Sequence, residues 1–175
     1  MEQKISKIKA FVFDVDGVMT DGTILALPDG DLLRRFDAKD GFAFRMASMH
    51  GYHLCAITGG SSESIRKRLV TCGFKTENVY IHSRDKIKDF DDFCTRNEVT
   101  PDQVLYIGDD IPDLCVMKLC GLAVAPADAC SECIEAADYV SPRPGGKGCV
   151  RHSIEMVMKA QGTWVLNTEQ YKANF

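Results

Sequence analysis

The 175-residue sequence lacks the long apolar runs and the basic excess that mark several common classes of protein. No apolar run approaches the roughly 18 residues of a membrane-spanning helix. Lys and Arg number 21 against 25 Asp and Glu, and this net charge of -4 disfavours nucleic acid or an anionic membrane as the main partner. Residues 1–9 lack the apolar centre of a signal peptide, so we expect a cytoplasmic protein.

The eight cysteines lack the spacing of a structural zinc site. Cys130 and Cys133 form one CxxC pair, but neither a second pair nor two suitably spaced histidines accompany it. Several of the other cysteines sit in apolar runs, where a thiol packs as a small hydrophobic group. We therefore expect free structural thiols.

Short apolar segments alternate with amphipathic segments along the chain. Strands are predicted at residues 10–15, 53–57, 79–82, 104–107, 122–125 and 139–140. Helices are predicted at residues 40–50, 61–72, 85–97, 112–120, 129–136 and 150–160, the first with Asp40 as its cap. This alternation predicts an α/β, Rossmann-like fold with a doubly wound parallel sheet and helices on both faces.

One segment departs from the alternation. Two extended runs, 23–27 and 32–36, flank a Pro-Asp-Gly turn, which is typical of a β-hairpin. Because the hairpin follows the first strand at once, we expect it to project as a flap over about residues 23–36. We predict a single domain over residues 1–162.

Residues 163–175 are predicted to form a C-terminal tail that is mobile or docked on a partner subunit. Trp164 is the residue most suited to anchoring this tail by packing.

Polar residues follow each of the first four predicted main-sheet strands. In chain order they are Asp14 and Asp16, then Thr58 and Gly59, then Lys86, and last Asp109, Asp110 and Asp113. In a doubly wound sheet, ligands bind beyond the carboxyl ends of the strands, so these side chains are expected to share one crevice. Carboxylates suit Mg²⁺, while a lysine, a hydroxyl and a glycine backbone suit phosphoryl oxygens. The inventory favours phosphoryl transfer.

In this order, the four motifs resemble those of the haloacid dehalogenase superfamily phosphatases. The first is Asp14-Val15-Asp16-Gly17, the second contains Thr58, the third Lys86, and the fourth begins Gly108-Asp109-Asp110. A hairpin follows the first motif where many members of the superfamily carry a cap domain, so the resemblance is to a capless subfamily.

Further segments resemble the capless phosphatases of 3-deoxy-D-manno-octulosonate 8-phosphate. These segments are Asp40-Gly41-Phe42, the glycine-rich stretch 145–151, and Ala160-Gln161-Gly162. The resemblance implies a phosphatase of lipopolysaccharide sugar biosynthesis that takes a phosphorylated sugar acid. It also implies a homotetramer whose subunits complete each other's sites.

The resemblance also implies a role for each motif residue. Asp14 is the expected nucleophile, and Asp16 the expected acid and then base. Mg²⁺ is expected on the Asp14 carboxylate, the Asp16 backbone carbonyl and the Asp109 carboxylate. Thr58, Gly59 and Lys86 are expected to hold the phosphoryl oxygens, and Asp110 and Asp113 to complete or orient the metal shell.

One position departs from the family pattern. Many relatives have Ile-Thr-Gly-Arg in the second motif, whereas this chain has Gly60 in the arginine position. An arginine there could pair with the carboxylate of the sugar acid. Two replacements are considered: Arg66, Lys67 or Arg68 on the next helix, or Arg151, which could reach a neighbouring subunit's site.

Three alternatives stay open on the sequence alone. Because of Gly60, the substrate could be a nine-carbon sialic-acid-type 9-phosphate. A phospho-receiver signalling domain also combines an aspartate, Mg²⁺, a hydroxyl and a lysine on a parallel sheet, but no acid two residues later accompanies its aspartate. A catalytically inactive scaffold is the third alternative, although all the expected catalytic side chains are present.

Overall fold

The structure, a computed structural model, describes residues 1–165 and is built on a six-stranded parallel sheet. Strands are numbered along the chain, and β2 (Leu25–Ala26) and β3 (Leu32–Leu33) belong to a separate hairpin. The strands of the six-stranded sheet are β1 (Ala10–Phe13), β4 (His53–Ile57), β5 (Val79–Tyr80), β6 (Val104–Ile107), β7 (Leu122–Ala125) and β8 (Tyr139–Val140). The strands lie in the order β5-β4-β1-β6-β7-β8, and every pair is parallel. The predicted doubly wound parallel sheet is confirmed.

The helices alternate with these strands, as the sequence predicts. They are α1 (Glu2–Ile5), α2 (Ala38–Met49), α3 (Glu63–Val70), α4 (Lys86–Arg96), α5 (Leu114–Met117), α6 (Ser131–Ala136) and α7 (Cys149–Ala160). Single 3-10 turns precede β5, β6 and α5, at Thr76–Asn78, Pro101–Gln103 and Ile111–Asp113. Within residues 1–165, no helix has both the length and the apolar character needed to cross a membrane.

The sheet separates two hydrophobic cores, because successive side chains of a strand point to opposite faces. Phe11 and Phe13 of β1 belong to one core, where the Phe13 ring meets the Phe44 ring of α2 edge-on at 5.1 Å. Val12 belongs to the other core, which contains Phe90 and Phe93 of α4. All four residues of β1 are buried, so the strand fits only a central position.

The strand order reverses at β1, and this reversal positions the crevice. From β1 the chain passes to β4 and β5 on one side, then crosses back to β6 on the other. Such a reversal separates the loops at the carboxyl ends of the two strands that flank it, which opens a crevice there. The loops at the carboxyl ends of β1 and β6 carry Asp14 and Asp109, respectively.

The hairpin is present and its strands are shorter than predicted. The strands β2 (Leu25–Ala26) and β3 (Leu32–Leu33) pair antiparallel in a separate two-stranded sheet. Gly30, in the turn between them, has a φ of 88°, a conformation that favours glycine. We call residues 23–36 the flap.

The start of α2 was predicted wrongly. Asp37 is its cap and accepts a hydrogen bond from Lys39 N, whereas Asp40 lies inside the first turn. Asp40 is buried because it faces α7, where its Oδ1 accepts a hydrogen bond from Arg151 N at 2.8 Å. The predicted helix at 112–120 is a 3-10 turn followed by the short α5, and α1 was not predicted.

The first residues of the predicted tail pack on their own chain. The Trp164 ring contacts the Phe42 ring of α2 edge-on at 6.3 Å, and Trp164 N donates to Met158 O of α7. The remainder of the predicted tail, residues 166–175, lies outside the described residues.

Candidate active site

Asp14 and Lys86 form a buried ion pair at the switch point of the sheet. Asp14 follows β1 directly, and its backbone N donates to Ile107 O of β6. Lys86 is the first residue of α4, where Asp85 is the cap. Its Nζ lies 2.8 Å from Asp14 Oδ1 and 2.7 Å from Asp113 Oδ1.

Burial and charge act in opposite directions on this pair. Burial raises the pKa of Asp14 to about 7, and the nearby Asp113 adds to the effect, while Lys86 opposes it. Burial acts to lower the pKa of Lys86, but Asp14 and Asp113 outweigh it and raise that pKa above its usual value. Lys86 therefore stays charged between two carboxylates.

Asp109 presents a carboxylate to the same point from the end of β6. Its Oδ1 is buried and has no hydrogen-bond partner within residues 1–165. A Cβ at Gly17 would lie 1.9 Å from Asp109 Oδ2, so only glycine leaves room for this carboxylate. Burial, together with the nearby carboxylates of Asp14 and Asp113, raises the pKa of Asp109 to about 7.

These carboxylates suit a divalent cation. Oxygens of Asp14, Asp109 and Asp113 lie within 4.8 Å of one another. The unpartnered Asp109 Oδ1 and the all-oxygen donor set suit Mg²⁺, which prefers carboxylate and water ligands. The exposed Asp110 is outside this cluster; its carboxylate accepts a hydrogen bond from Ile111 N.

Asp113 organises the loop after β6. Its Oδ2 accepts hydrogen bonds from Asp109 N and Asp110 N, and its Oδ1 accepts one from Tyr106 Oη at 2.6 Å. The side chain of Asp113 is only 2% exposed. Because Asp113 also binds Lys86, it orients both the lysine and the loop that carries Asp109.

Asp16 is held by a residue that the sequence reasoning missed. Arg34 of the flap donates from Nε to Asp16 Oδ1 and from Nη2 to Asp16 Oδ2. The Arg34 side chain is 2% exposed. A Cβ at Gly60 would lie 2.9 Å from Arg34 Nη2, so the missing side chain at Gly60 leaves the space that Arg34 occupies. The signal in the sequence was the departure at Gly60, which indicated that another cation stands nearby.

Thr58 and Gly59 form the wall opposite β6. Thr58 is 1% exposed, and its Oγ1 accepts a hydrogen bond from Gly60 N at 3.0 Å. A cavity of about 740 Å³ joins this wall to the acidic groups, within the size range of small-molecule sites. Eight predicted site residues line it: Asp14, Asp16, Thr58, Gly59, Lys86, Asp109, Asp110 and Asp113.

The proposed replacements for the absent arginine do not line this cavity. Arg66 pairs with Glu63 on its own helix, and Arg68 Nη2 lies against Gly41 of α2. The Arg151 guanidinium lies over the Phe42 ring at 5.2 Å and the Trp164 ring at 5.7 Å, and its Nε donates to Glu155. The structure does not bring Arg151 together with Asp14 within the same chain.

Comparison with known proteins gives the family. A family profile described as haloacid dehalogenase-like hydrolase matches residues 60–150. The 3-deoxy-D-manno-octulosonate 8-phosphate phosphatase KdsC of Escherichia coli K12 is 35% identical over 159 residues, which cover 91% of this chain and 84% of the relative. The chain therefore belongs to the 3-deoxy-D-manno-octulosonate 8-phosphate phosphatase family of haloacid dehalogenase-like hydrolases.

Two solved structures of this family share the fold. The enzyme of that name from Yersinia pestis superposes with a TM-score of 0.89 at 33% identity, covering 93% of this chain and 86% of that one. The enzyme from Moraxella catarrhalis, in complex with a magnesium ion, a phosphate ion and a KDO molecule, gives a TM-score of 0.87 at 29% identity. The superposition covers 99% of this chain and 97% of the Moraxella chain. The family prediction is confirmed, and membership of a hydrolase family argues against the receiver-domain alternative.

Proposed function

We propose that this protein is a Mg²⁺-dependent phosphatase that hydrolyses 3-deoxy-D-manno-octulosonate 8-phosphate to the free sugar acid and phosphate. One observation carries the proposal: the cavity at the switch point combines Asp14, Lys86 and Asp109, with Asp16 two residues after Asp14. The names of the family members and the Mg²⁺, phosphate and KDO in the Moraxella structure support the choice of reaction and substrate.

Asp14 is the proposed nucleophile. One of its carboxylate oxygens attacks phosphorus, the bond from phosphorus to the sugar oxygen breaks, and an aspartyl-phosphate forms. Lys86 Nζ, 2.8 Å from Asp14 Oδ1, offsets the repulsion between the carboxylate and the anionic phosphoryl group. Thr58 and the backbone N–H of Gly59 hold the phosphoryl oxygens.

Asp16 is the proposed acid and base. For the first step, one Asp16 oxygen gives up its hydrogen bond from Arg34 and carries a proton instead, which it donates to the departing sugar oxygen. The resulting carboxylate then takes a proton from the water that attacks phosphorus. That attack breaks the bond to the Asp14 oxygen, releases phosphate and restores both aspartates.

Mg²⁺ would be held by the Asp14 and Asp109 carboxylates and the Asp16 backbone carbonyl, with Asp113 orienting the loop. When bound, the ion reduces the charge repulsion between a carboxylate nucleophile and a phosphate ester. The cluster of three carboxylates and the unpartnered Asp109 Oδ1 support this arrangement.

The test compares Asp14→Asn with Asp29→Asn, which alters an exposed aspartate in the flap turn. Asp14→Asn is expected to abolish phosphate release while keeping a cooperative melting transition, and Asp29→Asn to keep the wild-type rate. Substantial turnover by Asp14→Asn contradicts the nucleophile assignment. Wild-type rates on eight- and nine-carbon sugar-acid phosphates decide between the proposed substrate and the sialic-acid-type alternative that Gly60 raised.

We also propose that the enzyme is a cytoplasmic homotetramer whose subunits complete each other's sites. The flap exposes Ile24, Leu25 and Leu33, which are 43%, 61% and 44% exposed, and such apolar groups suit a subunit interface. All eight cysteines are free thiols, as is usual in a reducing compartment, and this supports the cytoplasmic location.

Light scattering tests the assembly and should give four times the mass of one chain. Leu25→Asp should lower that mass, and a monomeric wild-type protein contradicts the assembly.

A further inference from the structure

Among residues 1–165, three cationic side chains lie at the cavity or on its wall, and two of them are already paired. Lys86 binds Asp14 and Asp113, and Arg34 binds Asp16 through two hydrogen bonds. Arg84, in the loop before α4, lines the cavity and is exposed. No hydrogen bond or ion pair to another group within residues 1–165 engages its guanidinium.

The residue before Arg84 offers an unused donor to the same cavity. Ser83 is 9% exposed, and its Oγ has no hydrogen-bond partner within the described part of the chain. Its backbone N donates to Thr58 O at 2.9 Å, which fixes the loop against the strand end that carries the second motif. A buried hydroxyl without a partner costs free energy unless a ligand or water satisfies it.

The glycine pair of the second motif leaves room above this loop. A Cβ at Gly59 would lie 3.8 Å from Arg84 Nη1 and 3.9 Å from Ser83 O, so the guanidinium reaches the cavity over Gly59. The neighbouring Gly60 is the position at which many relatives carry arginine. Arg34 Nη2 occupies the space beside Gly60 itself, and Arg84 presents its positive charge over the preceding residue, Gly59.

The charge of the cavity wall makes this cation significant. In the described part of the chain, six carboxylates line it, namely Asp14, Asp16, Asp85, Asp109, Asp110 and Asp113. A sugar-acid phosphate brings a phosphate and, separately, a carboxylate into these surroundings. Lys86 and the metal site serve the phosphate, so the carboxylate requires a cation of its own.

We propose that Arg84, together with the Ser83 hydroxyl, binds the carboxylate of the substrate. A guanidinium matches the two oxygens of a carboxylate, and the serine hydroxyl supplies a further donor. This subsite deepens the proposed function and rests on it, because it assumes that the substrate is a sugar acid. Arg84 then takes the part that an arginine at position 60 would play, approaching from the loop before α4.

The experiment measures kcat and KM for Arg84→Gln and Ser83→Ala on two substrates. One is 3-deoxy-D-manno-octulosonate 8-phosphate, and the other is p-nitrophenyl phosphate, which has no carboxylate. Lys88→Gln is the matched control, since it removes one exposed positive charge from the first turn of α4, away from the cavity lining.

For Arg84→Gln we expect KM for the sugar acid to rise about ten-fold or more, as for loss of a charge-assisted hydrogen bond. Ser83→Ala should raise it by a smaller factor. The KM for p-nitrophenyl phosphate should stay unchanged in both variants. Product inhibition gives a second readout: the inhibition constant of the free sugar acid should rise with KM in Arg84→Gln, and that of inorganic phosphate should not.

Equal rises in KM on both substrates would mean that Arg84 serves the phosphate, and unchanged values on both would mean that it serves neither group. Either result overturns the carboxylate subsite. A wild-type enzyme without preference for the sugar acid over p-nitrophenyl phosphate overturns the substrate assignment itself, which separates the two failures.

Discussion

Arg34 donates two hydrogen bonds to Asp16, with Nε 2.6 Å from Oδ1 and Nη2 2.9 Å from Oδ2. The pair joins the flap to the end of β1, and the arginine is almost completely buried. The position of the flap and the orientation of the Asp16 carboxylate are thus coupled. A two-bond contact of this kind depends on the planar guanidinium, which lysine cannot reproduce.

Arg34→Lys should therefore lower kcat by about ten-fold or more, because the variant loses a charge-assisted hydrogen bond that orients Asp16. The matched control is Arg35→Lys, since Arg35 is the next residue, is 77% exposed and makes one hydrogen bond to Asp21. That control should keep kcat within about two-fold, because exposed ion pairs contribute little. Steady-state kinetics with saturating Mg²⁺ makes the comparison, and equal losses in both variants would show that Arg34 has no special role.

The sheet and most of the site were predictable because both depend on local sequence patterns. Short apolar runs identify buried parallel strands, and the motif residues follow them directly, so Asp14, Thr58 and Lys86 could be placed at one edge. The start of α2 was not predictable in the same way. Asp40 has the chemistry of a helix cap, but it lies within the first turn, three residues after the cap Asp37, where packing against α7 buries it.

The partners of Gly60 illustrate a second limit of the sequence. Its lack of a side chain was visible, and an arginine from the following helix was the natural substitute to consider. Arg34, which lies beside Gly60, instead comes from the flap, 26 positions earlier, and Arg84, which lies beside Gly59, comes from the loop before α4. Which arginine reaches a cavity depends on how non-adjacent segments fold over it, and a single sequence does not encode that in any short spacing.

Lys86→Met should destabilise the metal-free enzyme. The change leaves the Asp14 and Asp113 carboxylates, with side chains 11% and 2% exposed, without their shared cation. Removing one partner of a buried ion pair costs about 3 kcal/mol of the free energy of unfolding. Urea denaturation in the presence of a chelator measures this loss, and Lys88→Met on the exposed side of the same helix is the control.

Mg²⁺ provides the second half of this test. Because the ion brings positive charge to the same carboxylates, it should recover part of the stability lost in Lys86→Met, while phosphatase activity remains lost. A variant as stable as the wild-type protein without Mg²⁺ would contradict the energetic role assigned to Lys86.

Asp40 should give the protein a distinctive dependence of stability on pH. Burial raises the pKa of Asp40 to about 7; Asp37 also raises it, while the hydrogen bond from Arg151 N and the charge of Arg151 oppose the increase. In the unfolded chain the carboxyl returns to its usual value near 3.8. Between these two values the folded state holds a proton that the unfolded state has lost. The contribution of Asp40 to the free energy of unfolding therefore falls as pH rises through this window.

Asp40→Asn removes this titration and keeps an oxygen to accept the hydrogen bond from Arg151 N. Relative to the variant, the wild-type protein should lose on the order of 2 kcal/mol of unfolding free energy between pH 5 and pH 8. Urea denaturation of both proteins in chelator at the two pH values measures the difference. Asp14 and Asp109 also titrate in this range, but they are common to both proteins and cancel in the comparison. A difference that stays constant, or that grows in favour of the wild-type protein with pH, would mean that Asp40 is ionised in the folded state and that its second oxygen finds a cation.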